Sequence, residues 1–244
     1  MKAIIFSSCK GGCGKTTVAC STALKLSEKN KIALFDADVD SPNVMEIMGI
    51  KNEGETTVNK EGKLIPVVYN DNLRIFSMST LVPKGKGISL DGQQTQSFLR
   101  QCVVEVDWGN PDFFVVDMPA GSSVVFRTIK DMFQKNLLGI IIVTQSASPS
   151  IADTYRLVNL CRKFALPVLG VVENMSGLEC DCCGKPLVCP RTGQAQFPFG
   201  HGDGQKIANE FGLRFFGFLP LSRSKYSGVA NDSVIDNIVE AIYG

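Results

Sequence analysis

Histidine is almost missing from this 244-residue chain. The single His201 stands between Gly200 and Gly202, which suits a loop or helix cap, and a lone imidazole gives no catalytic dyad. Excess charge is missing too: 25 Lys and Arg against 24 Asp and Glu leave a formal net charge of +1, with no basic block to leave an electrostatic footprint for nucleic acid. Long apolar runs are absent, because the longest, over 137–143, is too short for a membrane span. The N-terminus enters a strand at once, so a cytosolic protein with no membrane partner is expected. The stretch 231–244 carries Asp232, Asp236 and Glu240 but no lysine or arginine, which argues against both a basic membrane helix and a DNA-binding face there. Internal repeats and low-complexity linkers are absent as well. With 44% hydrophobic and 20% charged residues, the length fits one α/β domain over 1–244.

Against these absences stands a dense glycine–lysine stretch, Lys10-Gly11-Gly12-Cys13-Gly14-Lys15-Thr16-Thr17, between the apolar run Ala3-Ile4-Ile5-Phe6 and a segment patterned as a helix. A strand, a glycine-rich turn and a helix in succession form the context in which backbone N–H groups cradle a polyphosphate. Lys15 would then reach the β- and γ-phosphates of ATP, and the Thr16 hydroxyl would be a Mg²⁺ ligand. The spacing is a variant, Lys-Gly-Gly-x-Gly-Lys-Thr, with a second lysine, Lys10, at its start.

Further along, Ala19, Ala23 and Leu26 recur at helical spacing, and Ile32-Ala33-Leu34-Phe35 reads as a strand buried on both faces. That strand runs into Asp36-Ala37-Asp38-Val39-Asp40, whose spacing of two puts three carboxylates on one side of an extended loop, facing a phosphate-bound Mg²⁺ or a water. A hairpin excursion is expected around 64–68, a strand over 73–78, a loop over 80–90 with Gly85 and Gly87, and a helix over about 91–106. Phe113-Phe114-Val115-Val116-Asp117 is a buried strand ending in an acid, the form that holds Mg²⁺ through its water shell, and Met118-Pro119-Ala120-Gly121 follows as a sharp turn. Strands over 139–144 and 167–172 flank a helical pattern through Ile151, Tyr155, Val158 and Cys161. A helix through 207–211, a strand over 215–218 and a helix over 234–242 close the chain. Alternating strands and helices predict a mainly parallel, twisted sheet covered by helices on both faces.

Nine cysteines are present, and Cys180, Cys182, Cys183 and Cys189 fall within ten residues in a segment, about 174–200, that breaks the rhythm. In a reducing compartment such a cluster argues for metal rather than disulfides. Cys180-Asp181-Cys182-Cys183-Gly184 contains a Cys-x-x-Cys pair. Two chemistries stay open: a four-thiolate zinc site within one chain, or a [4Fe-4S] cluster held by one pair from each of two chains. Cys9, Cys13 and Cys20 read as small buried thiols, Cys102 and Cys161 as helical core residues, and Trp108 as packing.

The Lys10 variant of the phosphate loop resembles the deviant Walker A ATPases, whose branches include septum-positioning, plasmid-partitioning and nitrogenase iron proteins. Together with Val172-Glu173-Asn174-Met175-Ser176 ahead of the cysteines, Asp107-Trp108-Gly109, and Asp117-Met118-Pro119-Ala120-Gly121, the chain resembles the Mrp/ApbC iron–sulfur cluster carriers over nearly its whole length. The resemblance implies a MinD-like P-loop fold and a homodimer in which Lys10 reaches the partner's ATP. It also implies Asp40 near the attacking water, Asp38 and Asp117 near Mg²⁺, and Asn174 against adenine, with the turn at Pro220-Leu221 completing the base pocket. A [4Fe-4S] cluster would be held between chains by Cys180 and Cys183, for delivery to apo iron–sulfur proteins, with the roles of Cys182 and Cys189 open. Two departures stand out: Pro119-Ala120-Gly121-Ser122-Ser123-Val124 replaces the usual Pro-Pro-Gly-Thr-Gly-Asp, and 186–200 is longer than the usual link. A partner-recruiting ATP switch of the MinD/ParA kind with a structural zinc is the alternative reading. A nitrogenase-type reductase fits less well, since that branch supplies its cluster ligands singly from two loops.

Overall fold

The computed structural model describes residues 1–8, 10–51, 56–81, 90–121, 123–180, 182–221 and 233–244. Cys9, most of the 80–90 loop, Ser122 of the altered turn and Asp181 lie outside the described residues.

The chain runs β1 (Lys2–Ser7), α1 (Lys15–Ser27), β2 (Ile32–Asp36), α2 (Val44–Ile47), β3 (Val67–Asn70), β4 (Leu73–Ser77), α3 (Gly92–Glu105), β5 (Phe113–Asp117) and α4 (Ser123–Phe133). It continues through β6 (Leu137–Thr144), α5 (Ser148–Lys163), β7 (Val168–Leu178), α6 (Asp203–Phe211), β8 (Phe215–Leu221) and α7 (Ser233–Tyr243). One eight-stranded sheet has the order β3-β4-β2-β5-β1-β6-β7-β8, and every pairing is parallel except β3 with β4. The mainly parallel α/β sheet expected from the alternation of elements is therefore present.

Alternation along each central strand splits the core in two. Ala3, Ile5, Ala33, Phe35, Phe114 and Val116 face the side covered by α3, α4, α5 and α6. Ile4, Phe6, Ile32, Leu34, Phe113 and Val115 face the side of α1, α2 and α7. Strands buried on both faces must be apolar throughout, which is why β1, β2 and β5 read as continuous hydrophobic runs. On the first side Trp108 packs edge-on against Phe35, Phe76 and Phe114, with centroids 5.9, 6.1 and 4.8 Å away. Its indole N–H donates to the Cys102 carbonyl at 3.1 Å, so the ring's one polar atom is satisfied where it is buried. The start of α3 is set by a capping box between Asp91 and Gln94.

Three expectations change. The strand expected to end at Val172 runs on to Leu178, because β8 lies beside it and supplies partners for Glu173, Asn174 and Leu178. Pro220 accordingly sits inside β8 and not in a turn after it. Asp36 also leaves the expected row of carboxylates: it is buried at the end of β2, where it accepts from the Val44 and Asp38 N–H groups and the Ser77 hydroxyl. Burial, and next the negative charge of Asp117 in the adjoining strand, push its carboxyl up to about 7, against the pull of those three donors.

Two predictions follow from this packing. Trp108→Ala should lower the unfolding free energy by about 3–5 kcal/mol in urea titrations followed by circular dichroism, and a loss below about 1 kcal/mol would contradict the packing role. Asp36 stays protonated in the folded chain after it has ionised in the unfolded one, so unfolding releases its proton between the usual carboxylate range and about pH 7. Stability should therefore decline as pH rises through that window, and Asp36→Asn should make the decline shallower.

Candidate functional site

The loop between β1 and α1 opens on a cavity of about 1010 Å³ at the carboxyl ends of the strands. Lys10, Gly11, Gly12, Cys13, Gly14, Lys15, Thr16 and Thr17 all line it, as do Asp38 and Asp40 from the loop after β2 and Met175 from β7. Gly12 and Gly14 both have φ of 79°, a left-handed backbone that glycine takes without a Cβ penalty. At Gly14 a side chain would also strike the Asn174 amide, 2.1 Å from the Cβ position, so residue size is limited from beneath. From the cavity side Gly11 and Gly12 are open, with no atom within 4 Å of a Cβ position, which leaves room for a ligand to approach the backbone.

Lys15 begins α1 and is 6% exposed. Its ammonium lies 2.5 Å from Asp117 Oδ1, and the Thr16 hydroxyl donates to Asp117 Oδ2 at 2.7 Å. Burial pushes the Asp117 carboxyl up, while Lys15 and Thr16 pull it back down. Asp38 is half-buried, and burial raises its carboxyl as well. Asp40 is exposed on the loop beyond it. Two carboxylates and a hydroxyl are hard oxygen donors of the kind that suit Mg²⁺, and a cation already compensates Asp117.

The loop is also held from below. Asn174 donates its amide N–H to the Cys13 carbonyl at 2.8 Å, and Gln145 donates to the Gly12 carbonyl at 3.3 Å and to Met175 Sδ at 2.7 Å. Asn174, expected against a base, thus sits under the phosphate loop, and it is Met175 beside it that faces the cavity. Pro220 is not among the described residues lining that cavity. Gln145 was not foreseen: a single amide side chain after a strand has no spacing signature, and only the tertiary fold gives it a partner.

After β7 the chain forms a small meander. Bridges pair Glu179 with Pro186 and Val188 with Ala195, while Leu178 N–H donates to Gln196 O and Leu187 N–H to Leu178 O. Its two turns are closed alike: Gly184 N–H donates to Cys180 O and Cys180 N–H to Lys185 O, then Gly193 N–H to Cys189 O and Cys189 N–H to Gln194 O. Cys180, Cys182 and Cys183 share the first turn, with Cys182 and Cys183 exposed. The backbone N–H groups of Cys182 and Cys183 point at the Cys180 sulfur and lower its thiol pKa, favouring a thiolate. Cys189 sits in the second turn, where Thr192 lowers its thiol pKa. Residues 185–188 run between the two turns and bond to both flanking segments. Among the described residues no three His, Cys, Asp or Glu side chains gather to hold a metal ion.

His201 follows the meander as a loop residue just before the Gly202 cap of α6, in keeping with its glycine neighbours. Its ring stacks between Phe197 and Phe218, at centroid distances of 4.5 and 4.2 Å. No described helix is long and apolar enough to cross a membrane.

Comparison with known proteins places these features. Residues 1–239 match a family described as ParA, the NUBPL iron-transfer P-loop NTPases. An iron–sulfur cluster carrier protein of Aquifex aeolicus is 34% identical over 214 residues, covering 87% of this chain and 55% of its own length. A mitochondrial iron–sulfur protein required for NADH dehydrogenase, from Arabidopsis thaliana, is 35% identical over 227 residues, covering 92% of this chain and 68% of its own length. The chain thus spans little more than half of the Aquifex protein. Among solved structures, an ADP-bound nucleotide-binding protein of Archaeoglobus fulgidus superposes with a TM-score of 0.72 at 24% identity, covering 98% of this chain and 87% of that one, and so shares the fold. The phosphate loop over Asp117, the sheet order and the match over almost every residue lead to one assignment: the chain belongs to the NUBPL iron-transfer family of P-loop NTPases.

Proposed function

We propose that the protein is an ATP-hydrolysing carrier that holds a [4Fe-4S] cluster at the interface of a homodimer and delivers it to apo iron–sulfur proteins. The observation that carries this reading is that one strand, β7, supports the phosphate loop through Asn174 and leads within six residues to the exposed turn of Cys180, Cys182 and Cys183. A pair of thiols from each of two chains supplies the four ligands of such a cluster.

In the proposed reaction the loop N–H groups and Lys15 hold the β- and γ-phosphates of ATP. Thr16, Asp38 and Asp117 are the residues that would hold Mg²⁺, which when bound neutralises phosphate charge. Asp40, exposed at the cavity wall, orients the attacking water. The water's oxygen bonds to the γ-phosphorus as the bond to the β–γ bridging oxygen breaks, and the water's proton passes to the released phosphate or solvent, giving ADP and phosphate. Lys10 is exposed and lines the cavity, and in this scheme it reaches nucleotide bound by a second copy, as the family resemblance implies. The cluster is cargo in this scheme, and its exposed site suits transfer.

Two outcomes test the scheme. Anaerobic reconstitution with iron and sulfide should give broad visible absorbance that Cys180→Ala or Cys183→Ala removes and Cys189→Ser keeps; binding of zinc alone under every condition would overturn the carrier reading. Asp40→Ala should lower ATP hydrolysis by about 10²-fold or more while nucleotide binding persists, and chelation of Mg²⁺ should abolish hydrolysis in the natural chain. An undiminished rate in Asp40→Ala would remove that residue from the mechanism.

A further inference from the structure

β7 joins the support of the phosphate loop to the cysteine turn, with a break in its pairing between them. A peptide unit is rigid, so the Gly12 carbonyl turns together with the Cys13 N–H, and the Cys13 carbonyl with the Gly14 N–H. Whatever draws those N–H groups toward a polyphosphate is therefore felt by Gln145 and Asn174, which hold the two carbonyls. Directly after Asn174 the backbone passes through Met175 at φ 59° and Gly177 at φ 94°, and regular pairing with β8 lapses until Leu178. Such a break would ordinarily absorb a small displacement.

It is held by a buried carboxylate. Glu173 is fully buried and accepts from the Ser176 hydroxyl at 2.7 Å, the Gly202 N–H at 2.9 Å and the Gly204 N–H at 2.7 Å. His201 Nδ1 lies 2.6 Å from the same Ser176 hydroxyl. At Gly204 a Cβ would come within 3.0 Å of Glu173 Oε2 and 3.1 Å of Thr144 Cγ2, so the first turn of α6 docks where only glycine fits. The three donors come from the break in β7 (Ser176) and from the cap and first turn of α6 (Gly202 and Gly204), and Glu173 does not line the cavity. An unpaired buried carboxylate is costly, which makes its three hydrogen bonds a strong constraint on both segments.

We propose that Glu173 is a positioning residue that couples the two sites: with Ser176 and His201 it stiffens the break in β7, so that a tilt of the phosphate-loop peptides is passed to the turn bearing Cys180, Cys182 and Cys183. This inference rests on the carrier reading for its purpose, but its test needs no cluster. In the metal-free full chain, iodoacetamide alkylation of Cys182 and Cys183, resolved by mass spectrometry, reads the turn with and without saturating ATP and Mg²⁺. Nucleotide should change the alkylation rate about fivefold or more in the natural chain. In Glu173→Gln the ratio should fall to about one with nucleotide affinity unchanged, a separation that a merely structural role would not give. His201→Phe, which keeps the ring stack and loses the Ser176 contact, should lower the ratio partway. Should Glu173→Gln fail to fold, Ser176→Ala decides the matter: a reduced ratio supports the coupling, and the natural ratio overturns it. A nucleotide-independent rate in the natural chain, or an unchanged ratio in folded Glu173→Gln, also overturns it. Failure of the carrier reading would show separately, as the absence of visible absorbance after reconstitution of the natural chain.

Discussion

The ion pair between Lys15 and Asp117 is the constraint around which the site is built. Both groups are almost wholly buried, and a buried charge is tolerated only with a partner in good geometry and its remaining lone pairs satisfied. Asp117 meets both conditions, with the ammonium on one oxygen and the Thr16 hydroxyl on the other. Sheet order makes this arrangement possible: β5 lies between β1 and β2, so the loop that leaves β1 for α1 passes directly over the end of β5. The same order sets Asp36 and Asp117 opposite each other as register partners. One cation cannot compensate two neighbouring carboxylates, and the consequence falls on Asp36, whose carboxyl is pushed up to about 7 and accepts from the Val44 N–H and the Ser77 hydroxyl.

From this centre the rest of the cavity is placed by topology. β1 has β5 on one side and β6 on the other, and the chain builds outward from it in both directions, so the crevice opens at the carboxyl end of β1, where parallel α/β sheets bind ligands. The loop after β2 brings Asp38 and Asp40 to one wall, and Met175 of β7 closes the opposite one. Parallel strands of comparable length end together, which is why residues more than a hundred positions apart, such as Thr16 and Asp117, meet without any long-range pattern between them.

Much of this was legible in the sequence, for identifiable reasons. The phosphate loop, β1, β2, β5 and α3 were readable because each is fixed by local chemistry: glycines at strained turns, continuous apolar runs, or a capping residue with an amphipathic repeat. α4 carried a readable signal too, since Val125, Ile129 and Phe133 recur at helical spacing and are buried. Other features had no local signature. The extension of β7 depends on β8 lying beside it, the burial of Asp36 on Ser77 of β4, and the place of Asn174 on a loop 161 residues away. The division of the cysteines between two turns was hidden in the same way: it depends on the pairing of Glu179 with Pro186 and of Val188 with Ala195.

The left-handed backbone at Met175 shows how the two kinds of information meet. A non-glycine residue at φ 59° costs on the order of 1 kcal/mol, and glycine at that position would remove the cost. Glycine would also remove the thioether that accepts from Gln145 and forms part of the cavity wall. Without that contact Gln145 would retain only its longer bond to the Gly12 carbonyl, and the phosphate loop would lose part of its support from beneath. Backbone strain in β7 and order in the phosphate loop are thus two sides of one arrangement, and the side chain at 175 is where the first is exchanged for the second.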